Sequence, residues 1–141
     1  MSKQTLIDKA SDVKKTLVDY MRDKQNFDKF AASKNYGTPN TDIYYHTAAM
    51  YDAAQGDRQR ALMAFAAGLY KEIDDWLKYS KSDGFGYATR EGVKDMINNI
   101  YGINESFRTP GIKAKDNENI KNLQTPTMRD IMPIYEALKH E

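Results

Sequence analysis

The sequence predicts an all-α fold: about five helices in a single bundle-like domain over residues 1–141, with a long irregular segment before the last helix. Three observations predict it. Apolar residues recur at three- and four-residue steps in five separate stretches. Capping and helix-breaking residues stand at the ends of those stretches. No stretch shows the strict apolar–polar alternation of a half-buried strand. With 40% hydrophobic and 29% charged residues, the chain has enough apolar material for a core of its own.

The first helix starts near Ser2, and Leu6, Ile7, Ala10, Val13, Leu17 and Met21 lie along one face. It either runs on or breaks near Gln25 and Asn26 and restarts to bury Phe27 and Phe30. Gly37 and Pro39 make residues 34–40 a loop. Asn40 or Thr41 then offers a side-chain oxygen to the free amides of a second helix, whose main face is Ile43, Thr47, Met50, Tyr51 and Ala54. Gln55, Gly56 and Asp57 read as a tight helix–helix turn, with one continuous helix as the alternative.

The third helix has the strongest pattern. Leu62, Phe65, Ala66, Leu69, Tyr70, Ile73, Trp76 and Leu77 make a large apolar face that is expected to be core. Ala61, Ala64, Ala67 and Gly68 make a small one, against another helix of this chain or against a second molecule. A helix apolar on two sides is expected to be the centre of the bundle. Residues 78–88 read as a loop, with Gly84 and Gly86 around Phe85. Thr89 then caps a fourth helix with Val93, Met96, Ile97, Ile100 and Tyr101 on its face, and Gly102 ends it. Residues 103–124 follow as the irregular excursion, with one short helical turn at Ile120 and Leu123. Thr125 and Pro126 open the last helix, and Pro133 is expected to kink or interrupt it. Only one helix–turn–helix unit is visible, too few for a solenoid.

The chemistry available is thin. With no cysteine there is no disulfide, thiolate metal site or thiol nucleophile. Of the two histidines, His140 is penultimate, and His46 shares a helical face with Asp42 one turn before it, a spacing at which the two could pair. A structural role for that pair outweighs a general-base role, because no nucleophile accompanies it. No Glu-x-x-His pair is present for a di-metal carboxylate bundle, and Gly84 and Gly86 lack the strand and spacing of a phosphate loop. No catalytic, cofactor or metal residue is therefore assigned.

Net charge is +1, from 21 basic and 20 acidic residues, so no whole-molecule field draws the chain to nucleic acid or an anionic membrane. The N-terminus lacks the apolar core of a signal peptide, and the longest charge-free apolar run, residues 61–70, is too short to span a bilayer. The expectation is a cytoplasmic protein that does not enter membranes. Frequent Tyr, Lys, Asp and Asn fit an AT-rich genome of the phage or mobile-element kind, which makes that cytoplasm the host's.

The functional reading is a non-enzymatic protein-binding protein: an inhibitor, adaptor or assembly component. Its candidate contact residues are Tyr44 and Tyr45, an aromatic pair on a helix already apolar elsewhere, Phe85 and Tyr87 beside glycines, and Phe107 and Arg108. Self-association belongs to the same reading. The alternatives are a nucleic-acid-associated regulator that grips phosphates through Arg108, Lys113, Lys115 and Lys121, and an enzyme whose site is assembled from distant residues.

Overall fold

The Thr5 hydroxyl accepts the Asp8 amide at 3.1 Å and so starts α1 (Leu6–Ser33). This helix runs unbroken through Gln25 and Asn26, so Val13 and Phe27 belong to one rod about 42 Å long. The computed structural model describes residues 5–37 and 39–139. The expected helix start near Ser2 and His140 lie outside the described residues.

At the start of helix α2 (Asp42–Ala54) the cap position is Thr41, which makes no side-chain cap bond; the Asn40 side-chain oxygen, one residue earlier, accepts the Asp42 amide. Thr41 instead turns its hydroxyl to Asp28 of α1, to which it donates. The Gln55–Gly56 turn forms with left-handed φ values of 51° and 67°, and Asp57 caps α3 (Arg58–Ser82) by accepting the Arg60 amide at 2.9 Å. The second and third helices are thus separate.

The expected loop at residues 78–88 contracts to Asp83 and Gly84. Helix α3 continues to Ser82, and α4 (Phe85–Arg108) begins directly after Gly84, whose φ of 96° turns the chain. Thr89 is inside α4 and accepts the Trp76 indole N–H at 3.0 Å instead of capping. Gly102 does not end α4 either. A Cβ there would lie 2.4 Å from the Thr47 carbonyl oxygen, so the glycine allows a close crossing of α2 and α4.

The excursion expected over residues 103–124 is correspondingly short. After Arg108 come a 3-10 turn (Ala114–Asp116) and α5 (Glu118–Lys121). The buried Asn117 ties this segment down: its amide donates to Thr109 Oγ1 at 3.0 Å and Tyr51 Oη at 3.3 Å, and its oxygen accepts the Ile120 amide. Asp52 accepts the Ala114 amide at 2.8 Å. Thr125 then caps α6 (Pro126–Lys139), which continues through Pro133 without interruption. Among the described residues the fold is all-α, with six α-helices, one 3-10 turn and no strand.

The centre of the fold is α2, not α3. Nine of the thirteen α2 residues are buried. Helices α1, α3 and α4 pack against it, the 3-10 turn and α5 add a further covering, and α6 closes on α1. One core cluster joins Phe27, Tyr45, Tyr51, Ile120, Met128 and Tyr135; a second joins Val13, Met50, Ala53, Ala54, Ala64 and Ile103. The expectation that the large face of α3 is core is overturned. Ala61, Ala64 and Gly68 point inward, whereas Leu62 is 71% and Tyr70 77% exposed. The reason is backbone proximity. Gly68 lies against Asn99 and Met50, with no room for a Leu or Phe between these helices.

Candidate functional site

Most of the large apolar side chains that the core does not use lie on α3 and α4. On α3, Leu62, Ala66, Leu69, Ile73 and Trp76 follow steps of four, three, four and three residues; on α4, Val93, Ile97, Ile100, Asn104 and Phe107 do the same. That is the spacing of a helix seam over two heptads on each helix. All ten are exposed except the half-buried Trp76. The two stripes adjoin. Gly68 meets Asn99 and Trp76 meets Thr89, so the helices run antiparallel, and Ile73, Trp76, Val93, Met96, Ile97 and Ile100 line one groove of about 310 Å³ between them. Phe65, Tyr70, Leu77 and Tyr101 widen the face. On the other flank of α3, a groove of about 700 Å³ lined by Leu17, Val18, Met21 and Met63 carries the apolar surface toward α1.

One end of this face is acidic and aromatic. The Phe85 ring meets Trp76 edge-on at 5.5 Å between centroids. Beside them Glu72, Asp75, Tyr79, Tyr87, Glu91 and Asp95 line a cavity of about 200 Å³. Lys71 pairs with Asp75 at 2.8 Å. Burial first, and the neighbouring Asp95 charge second, push the Glu72 carboxyl up to about 7. Burial holds His46 below the ordinary imidazole range, against the pull of Asp95 and, more weakly, of Asp42. The strongest charge acting on His46 is therefore Asp95 on α4 rather than Asp42 on its own helix.

The two groups bias stability in opposite directions. A carboxyl whose folded-state value is raised stabilises the fold while protonated; its contribution is complete below the ordinary carboxylate range and is lost as pH rises through 7. A lowered histidine contributes above its ordinary value and loses that contribution as pH falls. Glu72→Gln is thus expected to stabilise by about 1–3 kcal/mol at pH 8 and to change little at pH 5, as read from urea unfolding at the two pH values. Equal effects at both would show that Glu72 does not titrate between them. No group of three or more His, Asp or Glu residues with metal-holding geometry occurs among the described residues.

The residues singled out from sequence separate into two sets. Tyr44 and Tyr45 are buried, with ring centroids 5.3 Å apart, and the Tyr45 hydroxyl donates to Asp23 at 3.1 Å. They pack the core and present little surface to a partner. Phe85 and Tyr87 are exposed at the start of α4, and Phe107 is exposed on its stripe toward the other end. Arg108 donates to the buried Glu105 at 3.1 Å, and Lys121 pairs with Glu118 at 3.4 Å. Lys113 and Lys115 are exposed. Sequence reasoning missed Leu62, Leu69, Tyr70, Ile73, Val93, Ile97 and Ile100 as surface residues because large apolar groups at helical spacing also describe a core face. The small inner stripe of Ala61, Ala64 and Gly68 was the available signal.

No helix among the described residues is long and apolar enough to cross a membrane. Comparison with protein-family models, with curated proteins and with solved structures found no match.

Proposed function

We propose that the protein acts without catalysis, by docking the α3–α4 face onto a helical protein surface, as an inhibitor, adaptor or assembly component. One observation carries this reading: α3 turns Ala61, Ala64 and Gly68 inward, and both α3 and α4, running antiparallel, carry large apolar residues outward at heptad spacing. Exposed large side chains cost solubility, and a contiguous set of them marks an interaction surface. The nucleic-acid alternative draws less support, because two of its four basic groups, Arg108 and Lys121, already pair with Glu105 and Glu118.

The test is capture of partners from the encoding organism with wild-type protein, a Leu69→Glu/Ile97→Glu double variant and a Lys113→Glu/Lys115→Glu double variant. A charge in the centre of an apolar interface is expected to weaken binding at least about 100-fold. Partners lost with the first variant, kept with the second and indifferent to nuclease support the reading. Partners lost with the second variant or with nuclease overturn it.

A further inference from the structure

We infer that the occupant of the α3–α4 face is a second copy of this chain, the two faces closing into a four-helix bundle; this rests on the docking reading above and names its partner.

The spacing identifies the kind of surface required. A four–three repeat suits packing against another helix, where each knob enters a hole between four residues of the facing helix. Here two such stripes lie side by side on antiparallel helices, so the complement is a pair of helices. A second α3–α4 pair supplies it, in the arrangement of a four-helix bundle.

The area agrees. Eleven large apolar residues of the two stripes and their flanks are each 37–77% exposed. With a fully exposed aromatic presenting roughly 150–250 Å² and a large aliphatic somewhat less, they offer on the order of 1,000 Å². The largest apolar patch on an ordinary monomer is about 300–600 Å², whereas each partner in a standard stable interface contributes about 800 Å². The face is therefore too large for an idle patch and sufficient for a dimer.

A two-fold interface must also tolerate itself. The borders of the face carry both signs: Asp74 pairs with Lys78 beside the α3 stripe, and Glu91 with Lys94 beside the α4 stripe. The net charge of +1 leaves almost no long-range repulsion between copies, and an antiparallel two-fold pairing keeps the acidic ends lined by Glu72, Asp75, Glu91 and Asp95 apart. Asn104 interrupts the α4 stripe with an exposed amide, and one polar residue at a seam position is a known way of fixing register.

The experiment is light scattering on the full-length chain, between about 1 and 100 μM, with far-UV circular dichroism as the fold control. Wild-type protein is expected at twice the 16.2 kDa chain mass, with the dimer fraction rising with concentration. Leu69→Glu on α3 and Ile97→Glu on α4, tested separately, are each expected to raise the dissociation constant at least about 100-fold and to keep the helical spectrum, since both residues are exposed in the single chain. Lys113→Glu, off the face, is expected to leave the dimer intact. A monomer throughout this range, or a dimer indifferent to both Glu substitutions, overturns the inference. If the chain is monomeric and the Leu69→Glu/Ile97→Glu protein loses a captured partner, self-pairing fails and docking stands; if the chain is monomeric and no capture depends on the face, both fail.

Discussion

Replacing Gly102 by alanine is expected to destabilise the protein by at least about 2 kcal/mol, in spite of the ~1 kcal/mol that alanine ordinarily gains over glycine inside a helix. The added methyl would lie 2.4 Å from the Thr47 carbonyl oxygen and 3.1 Å from Met50 Cβ. The first is backbone and the second is fixed to backbone, so no rotamer change relieves the clash; α2 and α4 must part. The other helical glycines provide an internal scale. At Gly68 the new methyl meets the Asn99 amide nitrogen at 2.7 Å and Met50 Cε at 3.0 Å, the ends of side chains that can shift, so the cost is smaller. At Gly92 the nearest atom is Glu72 Oε2 at 3.9 Å, and alanine is expected to stabilise by up to about 1 kcal/mol. Urea unfolding of the three variants should rank them in that order. A Gly102→Ala protein as stable as wild type would mean that the helix crossing is loose enough to absorb a methyl.

Loss of Asp23 is expected to have an effect of similar size by a different route. This α1 carboxylate accepts the Tyr45 hydroxyl at 3.1 Å, the Tyr135 hydroxyl at 2.7 Å and the Lys139 ammonium at 3.2 Å, and so fastens α2 and α6 to α1. Tyr45 is 1% and Tyr135 6% exposed, so neither phenol gains a full shell of water when its acceptor is removed. Burial, reinforced by Asp23, pushes both phenols well above the usual tyrosine range, and they remain donors throughout the working pH range. Asp23→Ala is expected to cost about 2–4 kcal/mol, and Tyr45→Phe added to it should return part of that loss by removing one stranded donor. Hydrogen exchange offers the local readout: α6 amides are expected to lose more protection than those of α3. If Asp23→Ala exchanges like wild type in α6, the carboxylate does not hold that helix.

Much of the fold is legible wherever the determinant is local. The glycine turn at Gln55 and Gly56, the Asp57 cap and the Thr125–Pro126 start all rest on chemistry within four residues, and each forms where the sequence places it. What depends on distant partners is harder to read. Gly102 resembles a helix stop until Thr47, 55 residues earlier, is known to cross it. Residues 103–124 resemble a mobile excursion until Tyr51, Asp52 and Thr109 are seen to hold Asn117 and Ala114 in place. The candidate site was only partly visible for the same reason. Phe85, Tyr87 and Phe107 are at the surface, but the stripes between them carry the same residue types as a core. Periodicity identifies a shared face and does not say which neighbour covers it.

The position of α2 has a consequence for folding cooperativity. Tyr44, Tyr45, Ala48 and Tyr51 belong to one apolar cluster, and Met50, Ala53 and Ala54 to the other; α1 likewise gives Phe27 to the first and Val13 to the second. Two clusters on separate helices would be free to melt at separate temperatures. Here each is built on the same two rods, so dismantling one withdraws the scaffold of its neighbour. Heat or urea therefore meets one thermodynamic unit, and a mutation at either end of α2 is felt along its whole length.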